Sequence, residues 1–356
     1  MSIRFLAIAL WLFSKSSMLL FSQTYDTASV CTCIDDDLNP TGIMIGHEHP
    51  QGLWKLSYRY MSMNMSGNLS GINTVDDDTI FNNYMMSAKN MRMDMHMLMA
   101  MYGVTDKFSI MTMFNYNILS MQMNMFPATS MNMPGMNMGS GNNTTMASKT
   151  NGIGDIQLYA TYVLLKRNIN FLFLSGGISV PAGSIYAKGK NDDMIYPSMR
   201  LPYMMQLGSG TVDFLPGVTY LLRYEDFSFG TQVTSILRPF NNSLGYHLEN
   251  KLNLNWWAAY KWLPWISTSA RVEDNYTSSI SGNDAQLVMT NEPSANPFNY
   301  GGQLVNGYAG INIYFNKSFL INSKLSAEYG IPVYQFVNGI QLGTKSTLNV
   351  SWTFSF

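Results

Sequence analysis

The sequence lacks any apolar run of 18 residues, which excludes a membrane protein built from helices. Charged residues make up only 12% of the chain and the net charge is −1, so there is no basic surface for binding nucleic acid. The sequence also lacks a serine–histidine–acid set, a phosphate-binding loop and a pair of catalytic carboxylates. We therefore predict a protein that is not an enzyme and has no nucleic-acid partner.

The first residues are typical of a secretory signal, because Arg4 precedes an apolar stretch at 5–13. We predict a signal peptide at 1–23, followed by a periplasmic tail or plug segment at 24–51. The remaining residues, 52–356, are predicted to form a transmembrane β-barrel, since a barrel of about a dozen strands needs this length as one domain.

The carboxy-terminal segment alternates apolar and small polar residues, and strand side chains alternate between two faces. Its apolar face consists of Leu348, Val350, Trp352, Phe354 and Phe356. Its polar face consists of Thr347, Asn349, Ser351, Thr353 and Ser355. This pattern is typical of a transmembrane barrel strand, with lipid outside and water inside. The alternative is an edge strand of a soluble sandwich.

Segments of period two bounded by turn residues predict about twelve strands, whose connections are alternately short and long. The long connections are predicted at 67–88, 126–150, 181–204 and 281–303. Outer-membrane barrels have short periplasmic turns on one rim and long extracellular loops on the other. The predicted fold is therefore all-β, a transmembrane antiparallel β-barrel of about twelve strands located in a bacterial outer membrane.

Aromatic residues gather where a barrel has its interfacial girdles. They include Tyr58, Tyr60, Trp256, Trp257, Trp262 and Trp265. The final aromatic residue, Phe356, resembles the carboxy-terminal signal by which outer-membrane barrels are recognised for assembly. We predict the outer-membrane lipid bilayer and the barrel assembly machinery as partners.

Methionine is concentrated in one part of the chain, where 21 of the 29 methionines lie between Met61 and Met146, most of them at spacing two. On a strand this spacing places side chains on one face. In the first and third predicted strands the opposite face is aromatic and aliphatic and suits lipid. The methionines predicted to point into the barrel are Met61, Met63, Met65, Met111, Met113, Met121, Met123 and Met125. For the strand at 89–102 both orientations stay open, because its other face carries Arg92 and Asp94.

Thioether sulfur is a soft ligand that selects Cu(I) and similar ions. The spacing continues into a polar loop that contains Met131, Met133, Met136 and Met138. We predict that these and the strand methionines handle a soft metal ion, with Cu(I) as the candidate; no other cofactor is predicted. The alternatives are packing, because methionine is a flexible apolar filler, and a path for an apolar small molecule.

A second candidate metal set precedes the barrel. It combines Cys31 and Cys33 with His47 and His49, since thiolate and imidazole bind copper and zinc. The alternatives for the cysteines are a free thiol pair, a local disulfide or lipid modification of Cys31. The acidic run at 35–37 is interpreted as a solvated loop, because it lacks the glycine spacing of a Ca²⁺ loop.

Several local patterns resemble the outer-membrane transporter barrels of the family named after a meta-pathway of phenol degradation (MetA-type). The matching segments are GIGDIQLYATY at 152–162, GISVPAG at 177–183 and QLGSGTVD at 206–213. Segments 58–63 and 101–106 resemble a Met-rich branch of that family. The resemblance runs from about residue 45 to 240. It implies a barrel that transports a solute, and it supplies no catalytic or ligand residues.

The sequence thus predicts an outer-membrane channel or transporter for a small solute, with soft-metal handling through a Met-rich lumen as the favoured function. The first alternative is a channel for hydrophobic or aromatic small molecules. The second is a metal-binding or structural surface barrel that transports nothing. The predicted solute partner is accordingly a small molecule or a metal ion.

Overall fold

The fold is a single antiparallel β-sheet that closes on itself, seen in a computed structural model that describes residues 37–46, 48–126, 145–189, 200–315 and 322–356. Within these residues, eleven strands form the closed ring. They are β1 (Trp54–Gly71), β3 (Met86–Thr105), β4 (Phe108–Met125), β6 (Ile156–Arg167), β7 (Asn170–Val180), β9 (Gly217–Tyr224), β10 (Phe227–Ile236), β12 (Lys251–Leu263), β13 (Ile266–Thr277), β15 (Gly302–Phe315) and β16 (Ser323–Ser355). Shorter strands accompany them: β2 (Asn73–Val75), β5 (Thr145–Ile153), β8 (Asp213–Phe214), β11 (Tyr246–His247) and β14 (Ser281–Gly282).

The last strand, β16, closes the ring by pairing with two neighbours. Its first arm, from Ser323 to Val337, is antiparallel to β15, and its second arm, up to Ser355, is antiparallel to β1. Because neighbouring strands alternate in direction around the ring, the two arms run in opposite directions and form a hairpin. Counting each arm, twelve segments of the described chain cross the barrel, which agrees with the prediction of about twelve strands.

The connections of the described chain alternate between short and long as predicted, and the predicted long connection at 126–150 lies mostly outside the described residues. On one rim the turns are short, and Asn168 and Glu225 occupy two of them with left-handed backbone φ angles of 50° and 48°. The other rim carries long segments at 72–85, 181–216 and 278–301. These include the helix α1 (Asp77–Phe81) and three 3-10 turns at Tyr203–Met205, Pro293–Ala295 and Pro297–Asn299. In the part of the chain that the structure describes, no α-helix is both long and apolar enough to cross a membrane.

The outer surface of the barrel is apolar and aromatic. Tryptophans exposed on it are Trp54, Trp256, Trp262, Trp265 and Trp352. The prediction was wrong for Trp257, which is 1% exposed and lies inside the barrel. Successive strand residues point to opposite faces, so Trp256 and Trp257 cannot both belong to an outer girdle.

Trp257 lies over a glycine on the neighbouring strand. Gly230 of β10 is its register partner, and a Cβ atom at Gly230 would overlap the indole ring. Gly330 and Tyr308 form the same pairing between β16 and β15. The missing side chain lets the large ring lie flat against the strand, a device that pins register in barrels.

We expect Gly230→Ala to lower the free energy of unfolding by about 1–3 kcal/mol, because the added methyl group displaces a fully packed ring. Urea unfolding of the detergent-solubilised protein measures this loss. The matched control is Gly176→Ala on β7, where an added Cβ atom meets nothing within 4 Å. An equal loss in both variants would contradict the packing explanation.

Residues 37–46 and 48–50 lie inside the ring and are called the inner segment here. Leu38 packs with Ala259 and Tyr314 on one side of the lumen. Gln232 donates a hydrogen bond to the carbonyl oxygen of Ile45 at 2.8 Å on another side. The inner segment therefore contacts strands from distant parts of the ring.

The acidic run was predicted to be a solvated loop, and this prediction was wrong for its described residue, Asp37. Asp37 is 4% exposed, and its carboxylate lies 3.0 Å from the ammonium groups of both Lys55 and Lys324. These lysines point into the lumen from β1 and β16. A buried carboxylate is tolerated when cations and hydrogen bonds compensate it.

Candidate functional site

A cavity of about 610 Å³ occupies the lumen between the inner segment and the long-loop rim. Its floor includes Gly42, Met44 and Ile45 of the inner segment, and Met204 and Tyr300 of the long segments line it from the other end. This volume lies within the range of about 300–1,000 Å³ that is typical of small-molecule sites.

One wall of the cavity is made of thioether side chains. Its methionines are Met61, Met63, Met65, Met95, Met97 and Met113. They come from the adjacent strands β1, β3 and β4, and Met61 lies directly opposite Met95 in the β1–β3 register. Residues so paired have Cβ atoms about 4.5–5.5 Å apart, so their sulfur atoms share one surface. The predicted inward orientation of Met61, Met63, Met65 and Met113 is confirmed.

The other predicted strand methionines also lie inside the barrel, but they are packed rather than exposed to the cavity. Met111 is buried beside Ile45, and Met121 and Met123 are 1% exposed in a cluster with Leu119. Met125 packs against the same cluster. Whether any of these residues binds metal stays a prediction.

The structure resolves the orientation of β3, which the sequence left open. Met91, Met97, Met99 and Met101 are buried inside the barrel. On the outer face, Arg92 and Asp94 form an ion pair at 2.9 Å, and the Tyr60 hydroxyl donates to Asp94 at 2.7 Å. Because these polar groups pair with one another, the free-energy cost of placing them on the outer face of the barrel is lower.

The opposite wall of the cavity is polar. Its residues include Gln232, Asn253, Asn255, Asn275, Gln303 and Asn306. Arg271 lies among them and donates two hydrogen bonds to Glu328, at 2.8 and 3.0 Å, and one to Asn255 at 2.7 Å. This wall was not predicted from the sequence. The alternation of residues along β13 could have indicated it, because Arg271 and Glu273 lie on the face opposite the exposed Val272.

The second candidate metal set is only partly covered by the structure. Cys31, Cys33 and His47 lie outside the described residues, as do Met131, Met133, Met136 and Met138. His49 is 7% exposed, and desolvation together with the nearby Lys55 lowers the pKa of His49 to about 3. Within the described ranges, no three His, Cys, Asp or Glu side chains are arranged to hold a metal ion.

The long segments form an aromatic cluster at the far end of the lumen. The ring of Tyr203 packs edge-on against the rings of Tyr246 and Tyr300, with centroid distances of 4.8 Å and 5.8 Å. The Tyr300 hydroxyl donates to the Ser294 carbonyl at 2.7 Å. Nearby, burial raises the pKa of Glu292 to about 7, so this carboxyl stays protonated over a wider pH range than in water. These contacts hold the long segments together beside the cavity.

The structure also explains one of the motifs that carried the family resemblance. Gly154 and Asp155 interrupt the sheet between β5 and β6. The Asp155 carboxylate accepts hydrogen bonds from the backbone N–H of Gly183 at 3.0 Å and of Ser209 at 2.7 Å. The three matching segments thus meet at one carboxylate, which anchors the long 181–216 connection.

No protein-family model matches the chain, and no curated protein matches it. The structure is similar to the COG4313 outer membrane channel from Pseudomonas putida F1, with 14% identity, a TM-score of 0.55, and coverage of 86% of this chain and 97% of that chain. The transport unit of the autotransporter AIDA-I from Escherichia coli has 10% identity, a TM-score of 0.49, and coverage of 90% and 95%. The Ralstonia pickettii toluene transporter TbuX has 10% identity, a TM-score of 0.41, and coverage of 86% and 90%.

The first of these likenesses shows the fold, and it agrees with the apolar outer surface and the alternating connections. The chain is an outer-membrane β-barrel embedded in the bilayer of a bacterial outer membrane.

Proposed function

We propose that this barrel is a channel for a small solute with a largely apolar body. The observation that carries the proposal is the two-sided cavity, in which a methionine wall faces a wall of Asn and Gln side chains. Methionine adapts to varied apolar shapes, and a few placed polar groups orient a bound molecule. Such a cavity suits an aromatic or aliphatic body that carries one polar group.

The similarity of this fold to the COG4313 outer membrane channel is consistent with this proposal. We further propose that the chain is related to the Met-rich branch of the phenol-degradation transporter barrels. We also propose that the barrel assembly machinery recognises its carboxy-terminal strand, where Phe356 and Trp54 exchange two backbone hydrogen bonds of 2.9 Å.

A second candidate function is soft-metal handling, and the opposed thioethers favour it. Met61 lies opposite Met95 on the cavity wall, and Met65, Met91 and Met121 occupy one row across three strands. Sulfur atoms that converge in this way are soft ligands for Cu(I) or Ag(I).

One triple variant distinguishes the two functions. In Met61→Leu/Met63→Leu/Met65→Leu the wall stays apolar and similar in volume, but three sulfur atoms are lost. We expect benzamide, a neutral aromatic probe, to bind the purified full-length variant within about threefold of the unchanged protein, as measured by calorimetry, since apolar area is kept. The matching asparagine triple variant should bind it about tenfold more weakly or worse.

Silver titration completes the test. Saturable Ag(I) binding that disappears in the leucine variant would establish metal handling. Weak, unsaturable Ag(I) binding by the unchanged protein would remove it. If neither benzamide nor Ag(I) binds, and cells with an intact outer membrane take up benzamide no faster with the barrel than without it, a surface barrel that transports nothing is the better explanation.

A further inference from the structure

One cation on the cavity wall, Arg59, differs from Arg271 in its surroundings. Arg59 points inward from β1, is 8% exposed and lines the cavity next to Met61. Its Nε atom is buried and has no hydrogen-bond partner within the described residues. Burying a guanidinium with an unsatisfied donor is energetically costly, so the unpaired Nε atom of Arg59 needs an explanation.

Arg271, Lys55 and Lys324, three further inward cations, are compensated. Arg271 pairs with Glu328 at 2.8 Å and with Glu273 at 3.3 Å. Lys55 and Lys324 share the carboxylate of Asp37.

The acidic group whose charge acts on Arg59 is Glu328. That carboxylate is already occupied, because it accepts hydrogen bonds from Arg271 and from the backbone N–H of Gly42 at 3.1 Å. The charge of Arg59 therefore faces the cavity while its acidic neighbour is bound elsewhere.

The residues around Arg59 combine donors with apolar surface. Met97 lies opposite Arg59 on β3, so thioether surface begins directly beside the guanidinium. On the other side, β16 presents Asn349 opposite Met61 and Thr347 opposite Met63, and the hydroxyl of Thr347 is buried with no partner within the described residues. The site thus offers a cation at the base of an apolar wall, with an amide and a hydroxyl further along it.

We propose that Arg59 binds a carboxylate, so that the solute of this channel is a small apolar acid, such as an aromatic or short aliphatic carboxylate. The planar guanidinium presents parallel N–H donors that match the two oxygen atoms of a carboxylate. The apolar body of the acid then lies along the methionine wall. This inference rests on the proposed channel function and adds the chemical class of the solute to it.

Benzoate and benzamide test the inference, because they have the same ring and nearly the same shape but differ in charge. Calorimetry on the purified full-length protein at neutral pH should show benzoate binding at least about tenfold more tightly than benzamide, as a charge-assisted hydrogen bond predicts. In Arg59→Gln we expect benzoate affinity to fall by about 10- to 100-fold and benzamide affinity to stay within about threefold. Arg59→Lys keeps the charge and should retain part of the preference.

The matched control is Arg92→Gln, which removes a guanidinium from the outer face of the same sheet and should leave both affinities unchanged. Heat-modifiable migration on gels checks that each variant has folded. If Arg59→Gln fails to fold, the comparison of the two probes on the unchanged protein still decides.

Three outcomes count against the inference. Equal binding of benzoate and benzamide by the unchanged protein would overturn the role of Arg59. The proposed channel for apolar solutes would be unaffected. Full retention of the preference in Arg59→Gln would have the same two consequences. Binding of neither probe would overturn the proposed function together with this inference.

Discussion

Replacing Glu328 by alanine is expected to lower the free energy of unfolding by about 3–5 kcal/mol, because it leaves the buried Arg271 without its main partner. The side chains of Arg271 and Glu328 are 2% and 1% exposed, and two hydrogen bonds join them. The same substitution removes the acceptor for the backbone N–H of Gly42. Urea unfolding in detergent, followed by tryptophan fluorescence, measures the loss.

The control for this prediction replaces both partners. In Arg271→Met/Glu328→Met neither member of the buried pair is left without the other, so we expect the loss to shrink to about 2 kcal/mol or less. An alanine variant that loses less than about 1 kcal/mol would show that Arg271 is adequately held by Glu273 and Asn255 alone.

The second large effect concerns the inner segment, which we propose obstructs the lumen as a plug. Deleting residues 37–46 should raise single-channel conductance in planar bilayers several-fold, because these residues form the cavity floor and fill the lumen beneath it. The milder variant Asp37→Asn should raise it less, since it only weakens the anchor shared by Lys55 and Lys324.

Glu48→Gln serves as the matched control for the plug. Its partner Lys166 is 63% exposed, so the 3.0 Å ion pair is screened by solvent and contributes little. Conductance in this variant should equal that of the unchanged protein. A deletion variant that conducts no better than the full chain would show that the inner segment does not limit the pore.

The barrel was predictable because lipid imposes a strict rule on every strand. Val350 and Trp352 face out while Ser351 and Thr353 face in, and the same rule placed Met61 and Met113 in the lumen. The rule gave no answer for β3, where Arg92 and Asp94 break the apolar face. Their cost is offset by partners on β1 such as Tyr60, a contact between strands that the alternation of one strand does not reveal.

The polar half of the site could not be read from the sequence for a related reason. Arg271 and Glu328 are 57 positions apart and meet only because β13, β15 and β16 are neighbours in the closed sheet. Asp37 was interpreted as part of a solvated loop, and nothing near it in the sequence indicates its partner Lys324. Local patterns therefore predicted which faces of β1 and β4 point into the barrel, but not which distant partners the inward residues meet there.

The position of the inner segment has a consequence for how the protein is made. The segment precedes β1, yet its partners include Glu328 and Ser351 of β16, which follows every other strand of the described chain. Its full set of contacts exists only after the seam between β1 and β16 has closed. We therefore expect the inner segment to dock only after the ring has closed, and a defect in the final hairpin to leave the inner segment undocked.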